Sequence, residues 1–371
     1  MNKLTTLIGI IIFALIFGCK ENENSIPNNE FTLIGELEGI ENGTWINLML
    51  DDKIIDSTKT LDNTFSFKGN LAHPKNFSLY INDSQNYARI WLEPKTVNFK
   101  AKSGEFNKAE ITGSTTQNER ELLSSFQKDY RNRRDSLTAI YRNPKISDSL
   151  KKVVSEELQI IYDSHTLIEQ DFIKNNPKSF VSAYLVDFYS TTFGRTKTDE
   201  LYNILSDSLK NSSYGKNINR YLNLNKNLKI GDKYVDFSMT NENGEMVKLS
   251  DYDGKLILLD FWASWCGPCI EEYPALKKAY SEFSENNFEI VGLSQDKSKD
   301  RWLKAIEKNE LNWVNLWNEK ANNADPYLIY GINGIPDNFL INDKGVIVAR
   351  NLRGEKLISK IKEELGNKAS R

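Results

Sequence analysis

Hydrophobic positions follow three different periods along the 371-residue chain. Between Phe31 and about Ser114 they fall in short runs rich in β-branched and aromatic residues. Trp45-Ile46-Asn47-Leu48-Met49-Leu50, Phe65-Ser66-Phe67 and Phe77-Ser78-Leu79-Tyr80-Ile81 are examples, with Gly43, Asn63, Gly69 and Pro94 between runs. Short strands bounded by turn residues predict a small all-β domain, sandwich-like or barrel-like, over residues 31–114. Residues 115–227 carry a helical period instead. After Ser147, the positions Leu150, Val154, Leu158, Ile161, His165, Ile168 and Phe172 recur at spacings of three and four. They form one face of a long amphipathic helix that Pro177 ends. His165 on that stripe reads as a buried or interface histidine. Phe180, Tyr184, Phe188 and Tyr189 read as a helical core, with a partner-binding groove as the alternative.

From residue 228 strands and helices alternate, which predicts an α/β domain over 228–371. Leu256-Ile257-Leu258-Leu259 is a continuous apolar run, as a central strand covered on both faces requires. Phe288 to Leu293 predicts a second strand, and Trp302, Ala305 and Ile306 mark a helix. Phe339-Leu340-Ile341 and Val346-Ile347-Val348 flank the turn Asn342-Asp343-Lys344-Gly345 as a hairpin, and Leu357, Ile358, Ile361 and Leu365 mark a closing helix.

The start of the chain has its own pattern. Lys3 precedes an apolar run from Leu4 to Phe17. A bilayer-crossing helix needs about 20 apolar residues, so the run is too short to span. A basic start, an apolar middle and a small residue before a break describe a secretory signal over residues 1–18. The polar, Asn-rich residues 19–30 read as a flexible tether.

Composition narrows the function classes. The chain is 39% hydrophobic and 27% charged, which suits a soluble globular protein. A formal net charge of −3, with charges scattered, gives no reason to expect nucleic acid as a partner. The two histidines, His73 and His165, lack a second ligand at metal spacing, so no metal site is expected. Three cysteines, Cys19, Cys266 and Cys269, are too few for a stapled scaffold.

Cys266 and Cys269 stand just after the predicted central strand, where a helix begins. A thiolate there feels the positive end of the helix dipole and free N–H groups, which lower its pKa. Two intervening residues keep both sulfurs within one turn, close enough for a disulfide. Cys266 is expected to be the exposed nucleophile, and Cys269, one turn in, the buried resolving thiol. Gly267 permits the tight turn and Pro268 pre-sets a helical φ. Asp260, six residues before Cys266, ends the buried strand, and Glu272 follows Cys269 by three residues on the same helical face. Either carboxylate is a candidate acid/base. An inert structural disulfide, or half of a zinc site, are the other readings of such a pair.

The stretch Phe261-Trp262-Ala263-Ser264-Trp265-Cys266-Gly267-Pro268-Cys269 resembles the thioredoxin superfamily motif. The likeness extends from Ile230 to about Leu365 and is strongest with TlpA/ResA-like thiol–disulfide oxidoreductases. It is carried also by Gly231-Asp232, Asp236-Phe237, Leu249-Ser250-Asp251-Tyr252-Asp253-Gly254-Lys255 and Gly292-Leu293-Ser294-Gln295-Asp296. Gly334-Ile335-Pro336 is similar to the family's cis-proline loop. The resemblance implies a thioredoxin-like fold, a redox-active disulfide with no other cofactor, and substrate contacts at Trp265, Gly267, Pro268, Ile335 and Pro336. It implies roles for Asp260 and Glu272 as the family's buried aspartate and active-site glutamate. Asp337 departs from the family's usual threonine after the proline, and its charge is expected to raise the Cys266 pKa.

Ile16-Phe17-Gly18-Cys19 resembles a bacterial lipobox, which implies lipidation of Cys19 and anchoring to a bilayer. Ile55-Asp56-Ser57-Thr58, Phe65-Ser66-Phe67-Lys68-Gly69 and Ile111-Thr112-Gly113-Ser114 resemble a β-domain of unknown function that precedes thioredoxin domains in exported lipoproteins of Bacteroidota. The expected protein is an enzyme of the Gram-negative cell envelope, facing the periplasm or the surface, on the outer rather than the inner membrane. Its expected partners are exported protein thiols and disulfides and a membrane thiol-electron donor, with cytochrome c-type biogenesis as one setting. The alternatives are a peroxiredoxin-like peroxidase and a non-enzymatic binding adaptor carrying a redox domain.

Overall fold

The computed structural model describes residues 29–51, 53–81 and 86–369. The signal segment 1–18, Cys19 and most of the tether lie outside the described residues. The chain forms two compact units, Met1–Gln117 and Asn118–Arg371.

The first unit is built from β1 (Glu30–Glu38), β2 (Trp45–Leu50), β3 (Lys53–Lys59), β4 (Thr64–Asn70), β5 (Lys75–Ile81), β6 (Tyr87–Leu92), β7 (Thr96–Lys102) and β8 (Glu110–Thr112). Two four-stranded sheets run in the orders β4-β1-β7-β8 and β3-β2-β5-β6. Burial alternates along β1 and β7, as expected where one face packs and the other meets water. Leu33, Phe67 and Phe99 of one sheet share a core with Ile46, Leu79 and Ile90 of the other. Two glycines adapt the first sheet. Gly35 lies opposite Phe65 and Gly69 opposite Phe31 in the β1–β4 register, and each phenylalanine ring covers the glycine facing it.

The boundary at Gln117 falls within the first turn of α1 (Thr115–Phe126), and the second unit continues with α2 (Lys128–Tyr141), α3 (Asp148–Asn175), α4 (Phe180–Phe188), α5 (Ser190–Ile204), α6 (Asp207–Lys210) and α7 (Ser213–Leu224). Ser147 caps α3, its hydroxyl accepting from the Leu150 N–H. Val154 and Phe172 of the α3 stripe are buried, and half-buried His165 places Nδ1 3.4 Å from Oε1 of buried Glu169. Leu150, at the start of the stripe, is exposed.

The α/β part follows as β9 (Ser238–Asn241), β10 (Met246–Lys248), β11 (Leu256–Trp262), α8 (Gly267–Phe283), β12 (Phe288–Ser294), α9 (Lys299–Asn309), β13 (Val314–Trp317), α10 (Asp325–Tyr330), β14 (Asp337–Ile341), β15 (Ile347–Arg350) and α11 (Gly354–Ala369). Its sheet runs β10-β9-β13-β12-β11-β14-β15. β11 is parallel to β12 and antiparallel to β14. Every residue of β11, β12 and β14 is buried. Alternation along β11 feeds two cores. Leu256, Leu258 and Trp262 pack with α8, α9 and α11, whereas Ile257, Leu259 and Phe261 pack with α10. The helical region is fastened to this domain. Asn225 Nδ2 donates to the Leu328 carbonyl at 2.8 Å, Lys226 N donates to the Ile329 carbonyl at 3.2 Å, and Arg220 pairs with Asp325. Residues 118–227 and 228–369 thus share one compact unit although their sequence periods differ.

Candidate active site

β11 delivers the chain to the site at the point where its side chains leave the sheet. Trp262 and Ala263 stay buried, and Tyr273 packs edge-on against Trp262 with ring centroids 6.1 Å apart. The following turn is anchored by Asp296, which is itself buried. Its carboxylate accepts from Ser264 N at 2.8 Å, Ser264 Oγ at 2.6 Å and Ser294 Oγ at 2.7 Å. That anchor sets the direction in which the chain enters α8.

Cys266 is the N-cap of α8, and Pro268 lies in its first turn. The Cys269 N–H donates to Cys266 Sγ at 3.2 Å, so the sulfur takes the capping place usually filled by an oxygen. Cys266 and Cys269 are joined by a disulfide, with Cα atoms 5.2 Å apart. The expected exposed nucleophile is not exposed here. Cys266 is 4% accessible and Cys269 2%, because in the disulfide both sulfurs turn into the core with Ala263 and Tyr273. The exposed surface is supplied by neighbours: Trp265 at 61%, Ile270 at 41%, and Gly267 and Pro268. Ile335 and Pro336, joined by a cis peptide bond, are half-buried, and Pro336 lines the same small cavity as Cys269.

Behind the disulfide that cavity is lined by Asp260, Cys269, Glu272, Pro336, Asn338 and Arg353 among others. Asp260 lies between Gly292 of β12 and Asn338 of β14 and is 5% accessible. Burial pushes its carboxyl up to about 7; the Arg353 charge opposes this, while Asp337 and Glu272 add to it. Glu272 is half-buried, and its Oε2 accepts from Gly354 N at 3.1 Å. Both sequence-predicted carboxylates therefore stand with Cys269 on the buried side of the pair.

Asp337 does not act as an isolated charge on Cys266. It is buried and held in two hydrogen bonds by Arg350, Nε at 3.2 Å and Nη2 at 2.6 Å. The guanidinium also lies 4.6 Å from the centre of the Phe339 ring. The forked pair fixes the carboxylate in place, and its charge adds to the rise at Asp260.

Arg353, Asn338 and Asp296 were not singled out as site residues from the sequence. Asn338 Nδ2 donates to the Leu352 carbonyl and its Oδ1 accepts from Leu352 N, each at 2.9 Å. Asp296 closes the Gly292–Asp296 stretch that carries the family resemblance, whereas no sequence signal marks Arg353 or Asn338, which enter the site through loop return and strand pairing.

The thiol–disulfide oxidoreductase ResA of Bacillus thuringiensis is 31% identical to this chain over 123 residues, covering 33% of this chain and 68% of the relative. This chain belongs to the ResA-like thiol–disulfide oxidoreductases. ResA of Bacillus cereus is 26% identical over 145 residues, covering 39% of this chain and 82% of that protein. Among solved structures, the thioredoxin domain of a thiol–disulfide oxidoreductase from Bacteroides vulgatus is 34% identical, with a TM-score of 0.36, and covers 37% of this chain and 97% of that one. A family profile described as the AhpC/TSA family matches residues 230–350, and one described as a domain of unknown function (DUF4369) matches residues 31–119. The ResA-like part is thus the α/β domain with its thioredoxin-like fold, and the enzyme is a thiol–disulfide oxidoreductase. Among the described residues, no group of His, Cys, Asp and Glu side chains could hold a metal ion, and no helix is long and apolar enough to cross a membrane.

Proposed function

We propose that the Cys266/Cys269 pair exchanges disulfides with exported protein substrates on a membrane-anchored enzyme. The observation that carries this reading is a C-x-x-C disulfide at a helix N-terminus, rimmed by exposed Trp265, Pro268 and Ile270 and backed by two carboxylates. In the reductive direction, the Cys266 thiolate attacks one sulfur of a substrate disulfide. The Cys266–substrate S–S bond forms, the substrate S–S bond breaks, and one substrate thiolate leaves. The Cys269 thiol then gives its proton to Asp260 or Glu272 and attacks Cys266 Sγ. The intramolecular disulfide forms and the second substrate thiolate leaves. Two electrons pass to the substrate, and an external dithiol donor restores the pair by the reverse exchange.

Each part has a physical basis. The Cys269 N–H and the start of α8 stabilise negative charge on Cys266 Sγ. Asp260, pushed up to about 7, can accept and release a proton near neutral pH. The rim offers an apolar surface, and in this reading the half-buried Ile335 pairs through its backbone with an extended substrate segment. Cys19, outside the described residues, would carry the lipid that holds the enzyme at the envelope.

Trapping tests the reading. Cys269→Ser is expected to hold protein substrates on Cys266 as mixed disulfides that dithiothreitol releases. Failure to trap any protein, or equal trapping by Cys266→Ser, would overturn the assignment of nucleophile and resolving thiol.

The match to the AhpC/TSA family favours peroxide reduction as a second reading. There the Cys266 thiolate would attack a peroxide oxygen, giving a sulfenic acid and an alcohol or water. Cys269 would condense with the sulfenic acid to give the disulfide and water. Stopped-flow consumption of hydrogen peroxide by the reduced protein separates the two; a rate no greater than that of free dithiol removes the second.

A further inference from the structure

One cation reaches the cis-proline loop and the buried carboxylates from the same place. Arg353 follows β15 and immediately precedes α11. Its Nη2 donates to the Pro336 carbonyl at 2.6 Å and its Nη1 to the Leu352 carbonyl at 2.7 Å. The same side chain lines the cavity with Asp260, Cys269 and Glu272. The next amide, Gly354 N, donates to Glu272. Asn338 holds the Leu352 backbone from both sides, which fixes the loop that presents the guanidinium. Arg350 is committed to Asp337, so it does not share this task.

We propose that Arg353 is a positioning residue of the exchange reaction, fixing the substrate-pairing loop through the Pro336 carbonyl and keeping the Asp260 carboxylate available as proton acceptor for Cys269. The second half rests on the acid/base reading of Asp260 given above. A guanidinium suits both tasks, because its fork satisfies two carbonyls at once while its charge stays fixed at any working pH. Lysine offers the charge without the planar fork. The groups facing Asp260 come from every element around it: Glu272 and Tyr273 from α8, Asp337 from β14, Tyr327 from α10, and Arg353 from the loop before α11. Arg353 is the member of this set that favours the ionised carboxylate. With the cation gone, burial and the two acidic neighbours act unopposed. Asp260 then holds its proton to higher pH, and Cys269 loses its acceptor at neutral pH.

The test uses the full chain with ¹³C-labelled aspartate carboxyls, the Asp260 signal being assigned by its loss in Asp260→Asn. In Arg353→Gln the Asp260 titration midpoint is expected to rise by about one pH unit, as loss of a neighbouring opposite charge implies. The rate of Cys269 alkylation at pH 7, measured in a Cys266→Ser background, is expected to fall several-fold. Arg353→Lys is expected to return the midpoint toward the parent value while leaving KM for a protein disulfide raised. An unchanged midpoint in Arg353→Gln, with only a lowered unfolding temperature, would overturn the assignment and leave Arg353 a structural residue. The underlying reading fails separately: if Asp260→Asn leaves the alkylation profile unchanged, Asp260 is not the acceptor and the second half of the proposal falls with it.

Discussion

Asp260 shows how one side chain converts burial into chemistry. Its folded carboxyl, pushed up to about 7 chiefly by desolvation, compares with an ordinary value of 3.8. Below about pH 4 both folded and unfolded chains carry it neutral, and it costs nothing. As pH rises toward 7 the unfolded chain ionises while the folded chain holds its proton, so stability falls; above 7 the penalty is complete. Asp260→Asn should therefore raise the unfolding temperature little near pH 4 and most above pH 7. The gain at high pH is at most about 4 kcal/mol, from the size of the shift. An increment independent of pH would show that Asp260 is not the titrating group. The position of Asp260 at the end of an apolar run was legible, since a lone acid there has few places to go but the interior. Its partners were not. Arg353 lies 93 positions away in the chain, Asp337 lies 77 away, and neither sits in a pattern that points back to residue 260.

Elements were legible where a period was strong. The apolar run at Leu256 became β11, the Leu357 stripe became α11, and the short runs of the first unit became β2, β4 and β5. β13 was missed because Val314–Trp317 is only four residues long and interrupted by the polar Asn315, and pairing with β12 decides it. Cross-strand fits were also hidden. A Cβ on Gly35 would stand 1.9 Å from the Phe65 ring, so the ring must move out of a packed core. Gly35→Ala should destabilise the first unit by about 1–3 kcal/mol, the usual range for overpacking. Denaturant unfolding followed by a probe in that unit should show the lower midpoint. Disulfide exchange at Cys266 should be unchanged, because the site is built wholly within the second unit.

At the scale of the molecule, the sequence period changes near residue 228 but the compact unit begins at Asn118. The end of α7 is tied to α10 by Asn225 and Lys226, and α10 packs under β11 through Tyr327 and Ile329. A chain starting at residue 118 should fold and keep thiol–disulfide exchange with a small disulfide. One starting at residue 228 loses the Asn225 and Lys226 hydrogen bonds and should unfold at a lower temperature; equal unfolding temperatures would show that the helical region adds no stability. The proposed lipid anchor belongs to the same scale. Cys19→Ser should move the protein from the membrane to the soluble fraction, and retention after a salt wash would exclude the lipid anchor.

The sequence by itself determined the Cys266–Cys269 pair, the strand before it and the helix after it. Those features depend on residues within a few positions of one another, where period, dipole and turn chemistry act locally. It also determined that the chain carries three kinds of secondary structure in succession. The tertiary structure decided what surrounds the pair. It buried Cys266 rather than exposing it, paired Asp337 with Arg350, and placed Arg353 between the proline loop and Asp260. Each of these depends on desolvation or on charges brought together across the sheet, and neither quantity is a property of neighbours along the chain.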